Sequence, residues 1–205
     1  MPNWVMNVVK FDASGEKMNE IKRTITDEKY NFDFNKIVPM SPSLKLTSGS
    51  ITERSLDCYR NGTDRNWRDM LMEKYKIDGN AFEAYYELGK AYDANIQQYG
   101  YPTWYEWCNA NWGTKWNASE TYWNSDNIVT FETAWSCPFP ILERLSEMFP
   151  DVQFEVAFAD EDFGSNCGIL LYNDGEGSQI NYFNGKEAME FAQSIWDGKF
   201  EFEEE

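Results

Sequence analysis

The chain has 205 residues, with 18 basic and 35 acidic side chains, a formal net charge of -17 and no histidine. The length fits one globular domain or one domain with a large insertion, and 42% hydrophobic residues are enough for a packed core. The charge argues against binding duplex nucleic acid through a broad basic face, and the lack of histidine excludes histidine-based triads and histidine-ligated zinc.

The first quarter of the chain predicts a strand followed by a helix. Residues 4–11 are rich in β-formers and alternate, which is typical of a half-buried strand. Residues 14–25 place apolar side chains at helical spacing, with Ser14 as a plausible N-cap. The side chains that share a face in these two elements are Val5, Asn7, Val9, Phe11, Met18, Ile21 and Ile25.

The middle of the chain predicts an extended stretch and then helices. We expect residues 32–40 to be extended, because prolines close them, and residues 43–66 to be a polar region with turns. Residues 67–98 follow a helical rhythm with one break at an Asp-Gly-Asn sequence. A further helix is predicted to begin near Pro102 and to end at Gly113.

The second half predicts alternating strands and helices. A strand over 128–135 places Trp135 on the same side as the apolar Val129, and Ser136 is expected to cap the following helix. The remaining predicted elements are a helix at 138–149, a strand at 152–158, a hairpin formed by 168–173 and 179–183, and a helix at 185–196.

This order indicates an α+β fold with a ferredoxin-like βαβ core, an antiparallel sheet and a C-terminal hairpin plus helix. We expect one domain over residues 1–205. Its core is formed by residues 1–53 and 124–205, and residues 54–123 form a helical insertion.

The aromatic residues are concentrated in residues 99–123, which hold five of the nine tryptophans and four tyrosines. Such a segment forms either a core seam between the insertion and the sheet or a stacking platform for a base, a sugar or a cation. The candidate residues for contact with a ligand or partner are Asn111, Trp112, Lys115, Trp116 and the strand residue Trp135.

The acidic residues are concentrated in residues 151–205, which carry 14 acidic and two basic side chains. This excess indicates either a solvated face with a frayed acidic tail or a negative surface that attracts a basic partner. The candidate residues for an acidic face are Asp160, Glu161, Asp162, Asp174 and Glu176.

The four cysteines, Cys58, Cys108, Cys137 and Cys167, contain no C-x-x-C pair, so we expect free thiols and no metal or other cofactor. No apolar run is long enough for a membrane-spanning helix, and the N-terminal residues lack the features of a signal peptide. We therefore expect a cytoplasmic protein that binds no membrane.

Several segments together resemble one known family, the YubB-type proteins of plasmids and phages. They are Met1-Pro2-Asn3-Trp4, Phe34-Asn35-Lys36-Ile37-Val38-Pro39-Met40, Asn111-Trp112-Gly113-Thr114-Lys115-Trp116, Phe131-Glu132-Thr133-Ala134-Trp135, and Leu145-Ser146-Glu147-Met148-Phe149-Pro150. The resemblance implies a ferredoxin-like domain, meaning a chain topology without an iron–sulfur cluster, and a gene context on mobile elements. It implies no activity and no catalytic residue.

The sequence favours a non-enzymatic accessory protein that binds a protein partner. One alternative is an acidic mimic of nucleic acid that inhibits a host defence enzyme. Another is a module that binds a small molecule or nucleotide through the aromatic residues. An enzyme is less favoured, because Asp160-Glu161-Asp162 follows a strand end and is typical of a solvated loop.

Overall fold

The computed structural model describes residues 3–181 and 183–202. Met1, Pro2, Tyr182 of the predicted hairpin and Glu203–Glu205 of the acidic tail lie outside the described residues. The chain forms two compact units, one built from residues 1–39 and 109–205 and the other from residues 40–108. No helix in the described part of the chain is both long enough and apolar enough to cross a membrane.

The first unit is built on a six-stranded sheet with the strand order β2-β3-β1-β4-β5-β6, in which every neighbouring pair is antiparallel. The strands are β1 (Trp4–Phe11), β2 (Ser119–Trp123), β3 (Ile128–Ala134), β4 (Phe154–Asp160), β5 (Cys167–Asn173) and β6 (Glu176–Asn181). The helices of this unit are α1 (Gly15–Ile25), α2 (Phe34–Ile37), α7 (Phe139–Met148) and α8 (Gly185–Trp196).

The sheet confirms the predicted ferredoxin-like topology. The order β4-β1-β3-β2, with α1 after β1 and α7 between β3 and β4, is the β-α-β-β-α-β arrangement of that fold. β5, β6 and α8 extend it. The sequence did not predict β2, because its alternation is short, the strand lies at the edge of the sheet, and a bulge interrupts its register with β3 between Ser119 and Tyr122.

The inner face of the sheet carries the apolar core that the alternation of β1 predicted. Val5, Asn7, Val9 and Phe11 are all buried, as are the α1 residues Met18, Ile21 and Ile25. Phe34 of α2 and Phe139 of α7 pack edge-on against rings of β3 and β4 on this face. The buried Asn7 donates through Nδ2 to the Val5 carbonyl and to Thr133 Oγ1, both at 2.9 Å, so its amide joins β1 to β3.

The outer face of the sheet is covered by α8 over β4, whereas Tyr122 of β2 is exposed and Ile128 and Glu132 of β3 are partly exposed. Ala188, Phe191, Ala192 and Ile195 of α8 are buried, as the sequence predicted. Beneath them lie small residues of β4, such as Ala157 and Ala159, which let the helix approach the strand closely. On the β2–β3 half of the same face, the side chain of Tyr122 is accessible.

The second unit is helical. It contains a short 3-10 helix (Pro42–Leu44), α3 (Ser50–Asn61), α4 (Arg65–Tyr75) and α5 (Gly79–Tyr99), and α6 (Trp104–Asn111) leads the chain out of it. Cys58, Leu71 and Phe82 form its buried cluster. Asp57 of α3 accepts hydrogen bonds from Lys74 Nζ at 2.8 Å and Tyr75 Oη at 2.6 Å of α4, which lowers the pKa of the carboxyl.

Three local predictions were wrong. Residues 32–40 are not extended throughout, because Asp33 accepts a hydrogen bond from the Asn35 N–H and starts α2. Residues 43–66 contain the helix α3. The sequence did not predict this helix because its residues are mostly polar, and the predicted turns lie at its two ends. Ser136 does not cap α7, whose N-cap is Pro138, whereas Ser14 is the N-cap residue of α1 as predicted, although its side chain makes no capping hydrogen bond.

A close helix contact in the second unit gives the first testable prediction. A Cβ atom on Gly89 of α5 would lie 1.9 Å from the Ser55 carbonyl oxygen of α3, a backbone atom that cannot rotate away. We expect Gly89→Ala to lower the free energy of unfolding by about 2–3 kcal/mol in urea denaturation followed by circular dichroism. Gly79→Ala, in the first turn of the same helix, meets no atom within 4 Å and is expected to raise stability by up to about 1 kcal/mol. Equal effects of the two substitutions would contradict the close packing of α3 on α5.

Candidate functional site

The candidate site lies at the end of the sheet where β1 begins and β3 and β4 end. The segment that carries Lys115 is held there by hydrogen bonds from side-chain hydroxyls to backbone carbonyls. Thr114 Oγ1 donates to the Ala134 carbonyl at 2.7 Å, and Ser136 Oγ donates to the Gly113 carbonyl. Gly113 has the left-handed φ of 74° that the sequence predicted for it.

Lys115 joins two exposed tryptophans. Its Nζ lies 4.4 Å from the ring centroid of Trp116 and 5.0 Å from that of Trp135, within the range of cation–π attraction. The Trp116 ring centroid is 6.0 Å from that of Trp4 on β1. We call Trp4, Lys115, Trp116 and Trp135 the tryptophan surface. Three of the five residues predicted for partner contact are thus brought together.

Trp135 is held in an unusual backbone conformation. Its φ of 75° lies in the left-handed region that a bulky side chain rarely adopts, and its side chain is 41% exposed although the sequence placed it on the buried side of β3. The strand ends at Ala134, so the alternation that predicted burial no longer applies. Strain of this kind costs about 1–3 kcal/mol and occurs often at functional sites.

A closed ring of hydrogen bonds supports that conformation. The Trp135 N–H donates to the Asn3 carbonyl at 2.9 Å, and the Trp135 carbonyl accepts from Asn166 Nδ2 at 3.1 Å. Asn166 Nδ2 also donates to Asp160 Oδ2 at 3.0 Å, and Asn3 Nδ2 donates to Asp160 Oδ1 at 3.3 Å. The ring connects the beginning of β1 with the ends of β3 and β4, so Trp135 is fixed by three separate parts of the chain.

Three carboxylates lie beside the tryptophan surface. Glu132 of β3 is partly buried, and burial raises its pKa, as does repulsion from Glu120 and Glu161. Glu161 accepts a hydrogen bond from the Trp4 N–H at 2.9 Å, so its carboxylate directly contacts a residue of the tryptophan surface. The site therefore combines exposed aromatic rings with concentrated negative charge.

Two predicted contact residues lie outside the tryptophan surface, and one of them, Trp112, belongs to the interior. Trp112 is only 3% exposed, its Nε1 donates to the Val38 carbonyl at 2.9 Å, and its ring packs edge-on against Phe34. A ring in this position stabilises the core and cannot meet a partner at the surface. Asn111, the last residue of α6, is partly buried and stands outside the tryptophan surface as defined.

The five acidic candidates do not form one face. Asp160 is 6% exposed and serves the hydrogen-bond ring, and its Oδ1 also accepts from the Asp162 N–H at 2.8 Å. Glu161 and Asp162 are exposed, and Glu161 contacts Trp4, whereas Asp174 and Glu176 lie at the β5–β6 turn. Because β4 and β5 are antiparallel, that turn is at the opposite end of the sheet, about 20 Å away for six strand residues.

The sequence did not single out Trp4, Glu132 or Asn166 as individual site residues. Trp4 and Glu132 occurred only within the family-like segments, and Asn166 followed a loop that looked merely solvated. Asn166 has a φ of 46°, a conformation that asparagine adopts more readily than most residues. The sequence signal that could have identified Asn166 is an asparagine directly after Gly164-Ser165 and directly before a strand.

The four thiols are free, as predicted, and are poorly suited to nucleophilic chemistry. Burial raises the pKa of Cys108 to about 12, and it raises the pKa of the fully buried Cys137 as well. Both therefore remain protonated near neutral pH. Within residues 3–181 and 183–202, no group of three or more Cys, Asp or Glu side chains is placed to hold a metal ion.

The match to a family model agrees with the fold. Residues 111–203 match the family described as "Ferredoxin-like domain in Api92-like protein", a description that names a fold and no activity. This range includes β2 to β6 and α8 but not β1. A crystal structure of a protein api92 from Yersinia pseudotuberculosis aligns with a TM-score of 0.43 and 10% sequence identity, over 90% of this chain and 100% of that chain. No curated protein matches the sequence.

The strain at Trp135 leads to a test that separates backbone from ring. Glycine adopts a positive φ without cost, whereas alanine keeps the strain and removes the ring. We expect Trp135→Gly to be about 0.5–1 kcal/mol more stable than Trp135→Ala in urea denaturation. A glycine variant that is less stable than the alanine variant would show that the left-handed conformation is not strained.

The carboxylate cluster predicts a pH-dependent stability. Because the pKa of Glu132 is raised in the folded state, its ionisation weakens the fold, so stability present below the unfolded pKa of about 4.3 is lost as pH rises through the folded pKa. Glu132→Gln should therefore raise the free energy of unfolding at pH 7 by up to about 1 kcal/mol. The gain should disappear near pH 4, measured by urea denaturation at both pH values. Glu176→Gln, at the other end of the sheet, is the control and should show no such gain.

Proposed function

We propose that this chain, whose residues 111–203 carry a ferredoxin-like domain of the Api92-like kind, is a non-enzymatic module that binds a basic segment of a protein partner through the tryptophan surface. The observation that carries the proposal is the convergence of Trp4, Trp116 and Trp135 with three carboxylates at one end of the sheet. Tryptophan is enriched among the residues that dominate binding energy at protein interfaces.

The tryptophan surface is preorganised for contact. Lys115 lies against both Trp116 and Trp135, and the hydrogen-bond ring fixes the Trp135 backbone. Rings held in this way lose little conformational freedom when a partner binds, so more of the contact energy becomes affinity. Because Lys115 already lies close to both rings, the arrangement supports a contact platform more than a small-molecule pocket between them.

The neighbouring charges favour a basic partner. Glu120, Glu132 and Glu161 repel one another in the free protein, which raises the pKa of Glu132 beyond the effect of burial. An arginine or lysine side chain placed among them would relieve this repulsion and would also lie near aromatic rings. The net charge of -17 adds long-range attraction for the same kind of partner.

The alternative of a nucleic-acid mimic has less support. A mimic needs carboxylates spaced like successive phosphates, whereas the predicted acidic residues divide between two ends of the sheet and Asp160 is buried. The resemblance of the sequence to YubB-type proteins supports a role among the accessory functions of a mobile element or its host, in the cytoplasm.

The proposal can be tested with model peptides. We expect a short arginine-rich peptide to bind the intact chain in a fluorescence anisotropy titration, and a glutamate-rich peptide of equal length not to bind. Trp116→Ala and Glu132→Gln should each weaken binding by about tenfold, the size of effect expected at a central interface residue. Added salt should weaken binding to the wild-type chain and have less effect on the Glu132→Gln variant.

The matched control is Trp67→Ala, which removes a 52% exposed tryptophan in the other compact unit. This variant should bind the arginine-rich peptide as the wild type does. Equal loss of affinity in the Trp67 and Trp116 variants, or equal binding of both peptides, would refute the assignment of the tryptophan surface.

A further inference from the structure

A groove on the outer face of the sheet lies away from the tryptophan surface, towards the other end of β1. Its floor is formed by Val8 of β1 and by Ile128 and Thr130 of β3. One wall is Tyr122 of the edge strand β2, and the other includes the C-terminal residues Phe200 and Phe202. The groove has a volume of about 560 Å³, within the usual range for small-molecule sites.

The walls of the groove present aromatic rings from opposite sides. Tyr122, the next-to-last residue of β2, is 48% exposed. Phe200 packs edge-on against Phe191 of α8 at 5.5 Å and against Phe202 at 4.9 Å between ring centroids. The C-terminal wall is thus anchored to the core through α8, so it can support a flat ring stacked against Tyr122.

Polar groups at the groove suit hydrogen bonding to the edge of such a ring. Asn124 Oδ1 accepts from Thr130 Oγ1 at 2.6 Å, which orients the amide. Asn124 is exposed, so its Nδ2 group can donate a hydrogen bond to a ligand at the rim of the groove. The Glu201 carboxylate, also at the groove, can act as an acceptor.

The charges at the groove decide against an anionic ligand. Lys10 Nζ lies 4.0 Å from the Glu155 carboxylate and 5.5 Å from the Phe202 ring centroid, so its charge is already partly balanced. Glu201 adds a further negative charge, and residues 151–205 carry twelve more acidic than basic groups. These negative charges would repel a phosphate group, whereas they would not repel an uncharged ring.

We propose that this groove binds an uncharged planar heteroaromatic compound of nucleoside size, stacked against Tyr122 and hydrogen-bonded to Asn124. The site is independent of the tryptophan surface. The two sites share no residue, so a failure of the peptide to bind the tryptophan surface would not contradict ligand binding in the groove.

The probes are the four common ribonucleosides, titrated into the full chain and followed by isothermal titration calorimetry. At least one nucleoside should bind with a dissociation constant at or below the millimolar range, and its 5′-monophosphate should bind more weakly at low salt. The proposal is overturned if no nucleoside binds in this range, or if the monophosphate binds more tightly than the nucleoside.

Variants locate the binding. Tyr122→Ala should weaken nucleoside binding by about tenfold, as expected for loss of one stacked ring, whereas Tyr122→Phe should stay within about threefold of wild type. Asn124→Asp keeps an acceptor for Thr130 but removes the donor, and should change which nucleoside binds best. Trp67→Ala should have no effect. Unchanged binding in the Tyr122→Ala variant would place the ligand elsewhere and overturn the proposal.

Discussion

The pairing of β1 with both β3 and β4 is the constraint on which the candidate site depends. Trp4 to Lys10 are in register with Ala134 to Ile128 on one side, and Val5 to Phe11 with Asp160 to Phe154 on the other. Backbone hydrogen bonds on both sides fix the strand completely, so residues more than 120 positions apart meet at its beginning. Asn3, Trp135, Asp160 and Asn166 can form a ring of hydrogen bonds only because this register places the beginning of β1 beside the ends of β3 and β4.

The two proposed binding sites lie at opposite ends of β1. Trp4, at the beginning of the strand, contributes to the tryptophan surface, and Val8 and Lys10, near its end, line the groove. α8 packs on the β4 side of the face, and Tyr122 on the β2 side is exposed. The ferredoxin-like sheet thereby carries the tryptophan surface at one end and the groove on its outer face.

Sequence periodicity predicted most of the core but little of the site. Val5, Asn7, Val9 and Phe11 are buried as expected, because the alternation of a central strand reports directly on which face meets the core. Lys115, Trp116 and Trp135 were candidates by residue type and density alone. The same reasoning selected Trp112, which is buried, because density does not distinguish a core ring from a surface ring.

The sequence by itself determined the α+β class, the ferredoxin-like topology, most element positions and the absence of histidine chemistry. These properties follow from local composition and spacing, which are fixed along the chain. Tertiary structure alone decided that Asp160 is a buried support rather than part of an acidic face, that Trp135 is exposed with a positive φ, and that the acidic residues divide between two ends of the sheet. Each of these depends on strand register and on contacts between distant residues, and a hydrogen bond between Asn3 and Asp160 has no counterpart in local sequence.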